Sequence, residues 1–249
     1  VTNVPDFCLD EVSDHAMALL LACARRVVGF ASQTAGGGWD LSGVTGMPRL
    51  SEQTVGVVGF GRSARCLVER ARGFGMRVLV HTPRLRPGSD LAEFRGEVEV
   101  VAGLEDLLEQ SDYVSLHAPV TDESRGMIGE PQLQAMKPGA YLINVARGAL
   151  VDQAVLVRAL SEGWIAGAAL DVLEREPPTE ADRSLLELPN AIITPHVAFY
   201  SEASIETLRK CAADNVVTIL GGKLPTDVVN SEVLTASNAR MSAATDSRP

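Results

Sequence analysis

From residue 54 to residue 195, short apolar runs of strand length alternate with segments of helical periodicity. The apolar runs predict seven strands, near residues 54–59, 76–81, 98–101, 112–117, 140–145, 165–172 and 191–195. Helical patterns fall between most of them, at 62–73, 104–110, 131–136 and 152–162. Because the strands are continuously apolar and helices separate them, the pattern predicts a doubly wound α/β fold whose parallel sheet is covered on both faces.

Two more helices are predicted outside this alternating region. The apolar run AMALLLACA lies within a predicted helix at about 11–31, and it is far too short to span a bilayer. A final helix of about twenty residues begins near Ser201 and ends at the glycine pair 221–222. The segment after residue 232 lacks apolar periodicity, so residues 233–249 are predicted to be a disordered tail.

Composition narrows the range of functions. The 249 residues are 46% hydrophobic and 22% charged, and they carry a formal net charge of -10. This acidic balance argues against a nucleic-acid partner, because binding to a phosphate backbone depends on positive charge. Four scattered cysteines without a C-x-x-C pair offer neither a metal site nor a disulfide framework, and they favour a reducing cytoplasm.

A glycine-rich turn directly follows the first predicted strand. The residues GFGRSA, 59–64, fit the pattern G-x-G-x-x-G/A. Gly59 would allow a tight turn, and Gly61 would let the backbone approach a pyrophosphate. Arg62 and Ser63 open the helix whose N-terminus would bind that pyrophosphate. A simple strand-to-helix turn is the alternative, but a strand before and a helix after give the context of a dinucleotide-binding fold of the Rossmann type.

Later segments follow one another in an order and spacing that are typical of one family. They are SLHAPVTDESRGMIG (115–129), MKPGAYLINVARGALVD (136–152), GAALDVLEREPP (167–178) and ITPHVAFYS (193–201). Together with the glycine turn and the opening segment 3–26, they resemble the NAD(P)-dependent D-isomer-specific 2-hydroxyacid dehydrogenase family over about residues 3–231. The residues F-Y-S after His196 resemble the branch of this family that contains the C-terminal-binding proteins.

The resemblance implies three catalytic residues: Arg147 in ARG, Glu176 before a proline, and His196 in TPH. Reduction of a 2-keto acid needs a cation for the carboxylate and the carbonyl, and a guanidinium offers a bidentate fork. A histidine can donate the proton to the nascent alkoxide, and pairing with Glu176 would orient the ring and favour its protonated form. The alternatives are a solvated loop charge at Arg147, Glu174 in place of Glu176, and a structural histidine at 196.

The same resemblance implies the residues that contact the cofactor. Asp171 would hold the nicotinamide amide, although a helix-capping or buried structural acid is the alternative. The other implied contacts are Val145 and Ala146 near the nicotinamide, His117 and Pro119 at the adenosine half, and Ala198. His15, on the first helix, is expected to be structural.

The second predicted strand bears on the choice of cofactor. The segment RVLVHTPRLRPGS, 77–89, contains no carboxylate. Family members that prefer NAD carry an acid where this sequence has Thr82, and that acid accepts from the ribose 2′-hydroxyl. A threonine can instead donate to a 2′-phosphate, and Arg84 and Arg86 follow where a guanidinium could pair with it. We expect NADP(H) over NAD(H); the alternative is that both arginines are solvated and NAD binds with reduced affinity.

The resemblance implies an oxidoreductase that transfers a hydride between a nicotinamide cofactor and a small D-2-hydroxy or 2-keto acid. It also implies that the protein is a homodimer. It implies a dinucleotide-binding domain over residues 1–200 and a return helix with a remnant of the substrate domain over 201–232. The substrate domain is otherwise expected to be absent. A nicotinamide-nucleotide-sensing interaction protein and a catalytically weak fragment are the alternatives. The intact set of Arg147, Glu176 and His196 favours the enzyme, because a scaffold has no need of all three.

Overall fold

The computed structural model of the chain describes residues 1–41, 45–89, 91–94 and 97–234. Among these, seven strands form one sheet: β1 (Thr54–Val58), β2 (Arg77–His81), β3 (Val98–Val100), β4 (Tyr113–Leu116), β5 (Tyr141–Asn144), β6 (Gly167–Leu170) and β7 (Ala191–Ile193). Their order in the sheet is β3-β2-β1-β4-β5-β6-β7, and every neighbouring pair is parallel. The predicted doubly wound parallel sheet is confirmed.

Eight α-helices occur in the described part of the chain. They are α1 (Leu9–Ala24), α2 (Val27–Ala35), α3 (Arg62–Gly73), α4 (Leu104–Gln110), α5 (Glu130–Ala135), α6 (Gln153–Glu162), α7 (Arg183–Leu186) and α8 (Glu202–Leu220). The predicted helices at 62–73 and 104–110 agree with α3 and α4 at both ends. The short helix α7 is absent from the sequence prediction, because four residues are too few for a helical period to show.

The prediction of one helix over 11–31 is wrong. Arg26 adopts a left-handed backbone with φ of 50°, and this residue separates α1 from α2. The two helices have different surroundings, since one face of α1 is buried and α2 contains no buried residue. Within the described residues no single helix is long and apolar enough to cross a membrane. Among the described helices, only α1 and α2 taken together have the length and the apolar composition of a membrane-spanning helix, and they are bent by 61° relative to each other.

The core of residues 12–198 consists of two apolar layers, one on each face of the sheet. Successive residues of a strand enter different layers: Val57 belongs to one and Val58 to the other. This alternation follows from the two-residue period of a β-strand. The first layer includes Leu20 of α1 and Leu67 of α3, and the second includes Leu107 of α4. Both faces of the sheet are therefore covered, and the carboxyl ends of its strands are the place where a ligand can bind.

Residues 1–11 and the described residues from 199 onward form a second compact unit. Within it, Thr2 and Val228 form an isolated antiparallel bridge. The tail predicted to be disordered, 233–249, begins inside a short 3₁₀ helix over Ser231–Leu234, so its first two residues are assigned to regular structure. The rest of the predicted tail lies outside the described residues.

Candidate functional site

The residues predicted to act on substrate or cofactor lie at one edge of the sheet. Thr82 directly follows β2, Asp171 directly follows β6, and His196 comes three residues after β7. In a parallel sheet these carboxyl ends share one edge, and ligands bind there where the strand order reverses. The reversal in this sheet falls between β1 and β4, because β2 and β3 lie on one side of β1 and β4 to β7 on the other.

Two glycines of the turn after β1 are required for different reasons. Gly59 has φ of +88°, and a Cβ there would lie 2.8 Å from backbone atoms of His117 and Ala118. Any other residue at Gly59 would therefore strain the backbone and collide with the end of β4. Gly61 has an ordinary φ of -77°, and no atom lies within 4 Å of a Cβ placed there. The protein itself does not use the space beside Gly61, so that space is open to a ligand at the N-terminus of α3.

A cavity of about 710 Å³ opens at the ends of β1, β2 and β4, and we refer to it as the glycine-turn pocket. Its volume is in the range of cofactor and ligand sites. The predicted cofactor residues that line it are Gly59, Gly61, Thr82, Arg84, His117 and Pro119. Those that do not line it are Arg62, Ser63, Val145, Ala146, Asp171 and Ala198. Of the latter, Val145 and Ala198 are buried in the apolar layer that contains α1 and α3.

The imidazole of His117 has an unusual environment at this pocket. Its Nε2 lies 3.0 Å from Oγ of Ser115, while Nδ1 is buried and has no hydrogen-bond partner among the described residues. Burial lowers the pKa of His117 to about 4, so the ring is neutral at physiological pH. A buried ring nitrogen without a partner is costly. A polar group of a bound ligand could satisfy it.

Glu176 and His196 form the contact that the sequence predicted. The Nδ1 atom of His196 lies 2.5 Å from Oε2 of Glu176, whose Oε1 accepts the Leu173 N–H at 2.9 Å. Partial burial opposes ionisation of Glu176. Hydrogen bonds from His196 and Leu173, with the charges of His196 and Arg147, nevertheless hold the pKa of the carboxyl below its usual range. The carboxylate therefore accepts and Nδ1–H donates, so Glu176 pairs with the ring as predicted.

Arg147 lies in a turn that the neighbouring asparagine holds. The buried amide of Asn144 donates from Nδ2 to the Arg147 carbonyl at 2.9 Å and accepts the Ala146 N–H at 3.1 Å. The Arg147 side chain is exposed, and its Nη1 donates to the Ala146 carbonyl at 2.6 Å. Sequence reasoning missed Asn144, because an asparagine at a strand end is read as a turn residue without a specific partner.

Gly148 allows the two loops of the site to meet. A Cβ on Gly148 would lie 1.9 Å from the carbonyl carbon of Leu173 and 2.4 Å from the Glu174 nitrogen. The loop that carries Glu176 thus passes directly over the residue after Arg147. Gly148 is the last residue of the motif ARG, but the approach of residues 173–174 cannot be inferred from the local sequence pattern.

Asp171 is buried and holds the loop that carries His196. Its Oδ1 accepts the Thr194 hydroxyl at 2.6 Å and the Val197 N–H at 2.9 Å, and its Oδ2 accepts the Ala198 N–H at 2.9 Å. Its backbone carbonyl also accepts the His196 N–H at 2.9 Å. These bonds fix His196, whose φ of 52° is unusual for a non-glycine residue. They agree with the alternative of a buried structural acid; contact with a nicotinamide amide stays a prediction.

Comparison with known proteins gives matches over nearly the whole chain. The model of the family described as D-isomer specific 2-hydroxyacid dehydrogenase, NAD binding domain, matches residues 17–198. A glyoxylate reductase of Thermococcus litoralis is 41% identical over 243 residues, which are 95% of this chain and 72% of that relative.

Two solved structures show the same fold. The D-isomer specific 2-hydroxyacid dehydrogenase of Lactobacillus delbrueckii ssp. bulgaricus, in its NAD complexed form, matches with a TM-score of 0.80 and 31% identity, over 92% of this chain and 72% of that chain. The acyclic imino acid reductase Bsp5, in complex with NADPH and D-Arg, matches with a TM-score of 0.79 and 27% identity, over 92% and 70%.

The family indicated by the sequence motifs is confirmed by these matches, whereas the resemblance to the branch with the C-terminal-binding proteins stays a prediction. The fold, the glycine turn and the paired glutamate and histidine agree with the same assignment. The chain therefore belongs to the D-isomer specific 2-hydroxyacid dehydrogenase family and is an oxidoreductase for hydride transfer between a nicotinamide cofactor and a 2-hydroxy or 2-keto acid.

Proposed function

We propose that Arg147, Glu176 and His196 carry out this reaction, and that the substrate is a small 2-keto acid of the glyoxylate kind. The observation that carries the assignment is the hydrogen bond between Glu176 and His196, formed within electrostatic reach of Arg147. The substrate class is supported by the 41% identity to a protein named glyoxylate reductase. We refer to these three residues as the acid–base cluster.

Each member of the acid–base cluster has a distinct task. A bound reduced nicotinamide supplies the hydride to the carbonyl carbon. The guanidinium of Arg147 pairs with the substrate carboxylate and polarises the carbonyl oxygen. Glu176 accepts from Nδ1–H and fixes the ring of His196, whose Nε2–H donates to the carbonyl oxygen as this oxygen becomes an alkoxide. The product is the 2-hydroxy acid, and the proton comes from the histidine.

The glycine-turn pocket fits a dinucleotide. The open space beside Gly61 would take the pyrophosphate, because the N-terminus of a helix attracts a negatively charged ligand and Gly61, which precedes α3, has no side chain to cap it. Predicted contacts Arg62 and Ser63 belong to the first turn of that helix. The buried nitrogen of His117 would meet a polar group of the same ligand.

We further propose that NADP(H) is preferred over NAD(H). Thr82 and Arg84 both line the glycine-turn pocket, and Thr82 occupies the position where an acid would select NAD. Arg84 is exposed and has no ion-pair partner among the described residues, so it is available for a 2′-phosphate. A second arginine of the lining, Arg65, pairs with Glu93, and Glu123 contributes an acidic group to the lining. Arg86 is not among the lining residues.

A homodimer is proposed through the surface around α2. This helix has no buried residue although it begins with two valines, Val27 and Val28. Nearby in sequence, Trp39 is 88% exposed and Leu41 is 75% exposed. Large exposed apolar side chains close together in sequence are typical of surfaces that are covered by a partner. Sedimentation of the purified protein tests this: a dimer that Trp39→Ala weakens is expected, and a monomer at all concentrations would refute it.

Activity and binding must be measured together to test the proposed function. Oxidation of NADPH and NADH is followed with glyoxylate and a panel of larger 2-keto acids, while the affinity for both cofactors is measured by titration. Turnover that is fastest with the smallest keto acids is expected. Tight cofactor binding without turnover on any keto acid would instead favour a nucleotide-sensing interaction protein. Failure to bind either cofactor would contradict the assignment of the glycine-turn pocket.

A further inference from the structure

His15 reaches the loop of the acid–base cluster from a distant part of the sequence. Its Nε2 lies 2.9 Å from Oγ1 of Thr194, which is 179 residues away, and 3.4 Å from Oδ1 of Asp171. The His15 side chain is 23% exposed, and the Asp171 side chain is fully buried. The helix α1 thus contributes a polar group to the end of β7 as well as apolar residues to the core.

The direction of each hydrogen bond follows from what the groups can donate. Both carboxylate oxygens of Asp171 accept backbone N–H groups, and the Thr194 hydroxyl donates its single hydrogen to Oδ1 at 2.6 Å. The oxygen of Thr194 must then accept from His15, and Nε2 of His15 therefore carries a hydrogen. These three side chains form a chain of donors, running from His15 through Thr194 to Asp171, which we call the His15 relay.

The relay ends on the backbone that flanks His196. Asp171, its last member, accepts the N–H groups of Val197 and Ala198, the two residues after His196. The left-handed backbone of His196 depends on such support, because a non-glycine residue rarely adopts this conformation unaided. We propose that His15 is a positioning residue for the reaction: through Thr194 and Asp171 it holds the imidazole of His196 in the orientation for proton donation.

The neighbouring residue on α1 provides a contrast. Asp14 makes an ion pair with Arg70, with 2.5 Å between the Asp14 Oδ1 and the Arg70 Nε, and the Asp14 side chain is 68% exposed. That pair joins α1 to α3 and does not involve the loop at 194–198. Substitution of Asp14 therefore perturbs a tertiary contact of the same helix and leaves the relay intact.

The experiment compares four variants with wild type in single-turnover hydride transfer, followed by nicotinamide absorbance. In His15→Leu and Thr194→Val the relay is broken, and we expect the rate to fall roughly 10- to 100-fold, the scale of a small misplacement of a catalytic group. The amide of His15→Gln can donate where Nε2–H did, so most of the rate should return. Asp14→Asn should match wild type, and cofactor affinity should hardly change in all four.

Two results would overturn the relay. One is a wild-type rate in His15→Leu. The other is a loss in His15→Leu that is matched by equal losses in cofactor affinity and melting temperature and that His15→Gln does not reverse, since this is the behaviour of a purely structural residue.

The proposal rests on the assigned role of His196, so a second readout is independent of turnover. Amide hydrogen exchange reports the bonds from Val197 and Ala198 to Asp171 directly. Faster exchange of the peptide that contains these amides is expected in His15→Leu and Thr194→Val, with protection restored in His15→Gln. If wild type reduces no 2-keto acid, the proposed function fails, and this exchange pattern would still support the relay. Unchanged exchange in His15→Leu would refute it.

Discussion

At the ends of β5, β6 and β7, side chains are hydrogen-bonded to one another and to the backbone before any ligand binds. Asn144 closes the turn of Arg147, and Asp171 holds the loop of His196. The glycine-turn pocket, at the ends of β1, β2 and β4, is different. It keeps open space beside Gly61 and a buried nitrogen of His117 without a partner among the described residues.

A site of this kind has two requirements: a catalytic group must be placed accurately, and the cofactor must have space and hydrogen-bonding partners. The position of a proton donor has to be accurate to a fraction of an ångström, and for His196, the proposed donor, the chain itself supplies bonds that hold the loop. The cofactor carries its own polar groups, so its pocket can leave space and hydrogen-bonding capacity for them. The arrangement of Glu176 and His196 is thus a property of the fold, whereas the glycine-turn pocket keeps space and a hydrogen-bonding group that the described residues do not use.

Removal of His196, the proposed proton donor, is expected to have the largest effect, and it tests the hydrogen-bonded region of the site. In His196→Ala we expect kcat to fall roughly 10²- to 10⁴-fold, the usual contribution of a positioned general acid. The affinity for the reduced cofactor should stay close to that of wild type, because His196 is not among the residues that line the glycine-turn pocket. Steady-state kinetics and cofactor titration provide both numbers, and a near-normal kcat would remove His196 from the mechanism.

Acidification tests the pocket through His117. Burial lowers the pKa of the folded ring to about 4, below the ordinary value of 6.5. Between these values the unfolded chain binds a proton that the folded chain does not, so the free energy of unfolding falls as the pH is lowered from 6.5 to 4. This loss amounts to at most about 3 kcal/mol.

Denaturant unfolding at several pH values measures this contribution. His117→Gln has no titrating ring, so its free energy of unfolding should depend less steeply on pH in the same window. Other acidic groups are common to both proteins and cancel in the comparison. Parallel curves for the two proteins between pH 6.5 and pH 4 would contradict the assignment of a buried neutral ring.

Two matched glycine substitutions compare the regions directly. In Gly148→Ala the new Cβ meets the backbone at Leu173, and we expect a loss of roughly 1–3 kcal/mol in the free energy of unfolding, the scale of overpacking. In Gly61→Ala the methyl group meets nothing, so stability should be retained while cofactor affinity falls. Thermal unfolding and cofactor titration of both variants check this. Equal losses of stability in Gly148→Ala and Gly61→Ala would contradict the proposed difference between the two regions.

The smallest expected effect concerns cofactor choice. Arg84→Ala removes the proposed partner of the 2′-phosphate, and we expect NADPH affinity to fall about tenfold, equivalent to roughly 1.4 kcal/mol. NADH affinity should be unchanged. Thr82→Asp should move the preference toward NADH, because the carboxylate accepts from the ribose hydroxyl and repels a phosphate. A wild-type preference for NADH would contradict the proposal.

Much of the fold was predictable from the sequence, and so was the pairing of Glu176 with His196. Helix α3 was bounded correctly because an apolar strand and a glycine turn precede it. Arg147, Glu176 and His196 were singled out because their motifs resemble those of the family, and their catalytic roles stay predictions. What the structure adds is the hydrogen bond between Glu176 and His196. A glycine turn or a short motif spans only a few neighbouring residues, so it can be recognised in a single sequence.

The supporting residues were not predictable in the same way. Gly148 is required by the approach of Leu173, and His15 contacts Thr194 from another part of the chain. These contacts join distant positions, and no periodicity or motif encodes them. The left-handed Arg26, which ends α1, was missed because the apolar pattern continues through it. The sequence reveals the chemically distinctive groups more readily than the residues that hold them.

The bonds from Asp171 to the loop of His196 also have an entropic consequence. A loop that becomes ordered only when its ligand arrives loses conformational freedom at that moment, and the loss weakens binding. Here Thr194, Val197 and Ala198 are held by Asp171 in the free protein. The ordering of this loop is thus part of the folding equilibrium. More of the interaction energy between enzyme and substrate is then available to lower the barrier of the chemical step.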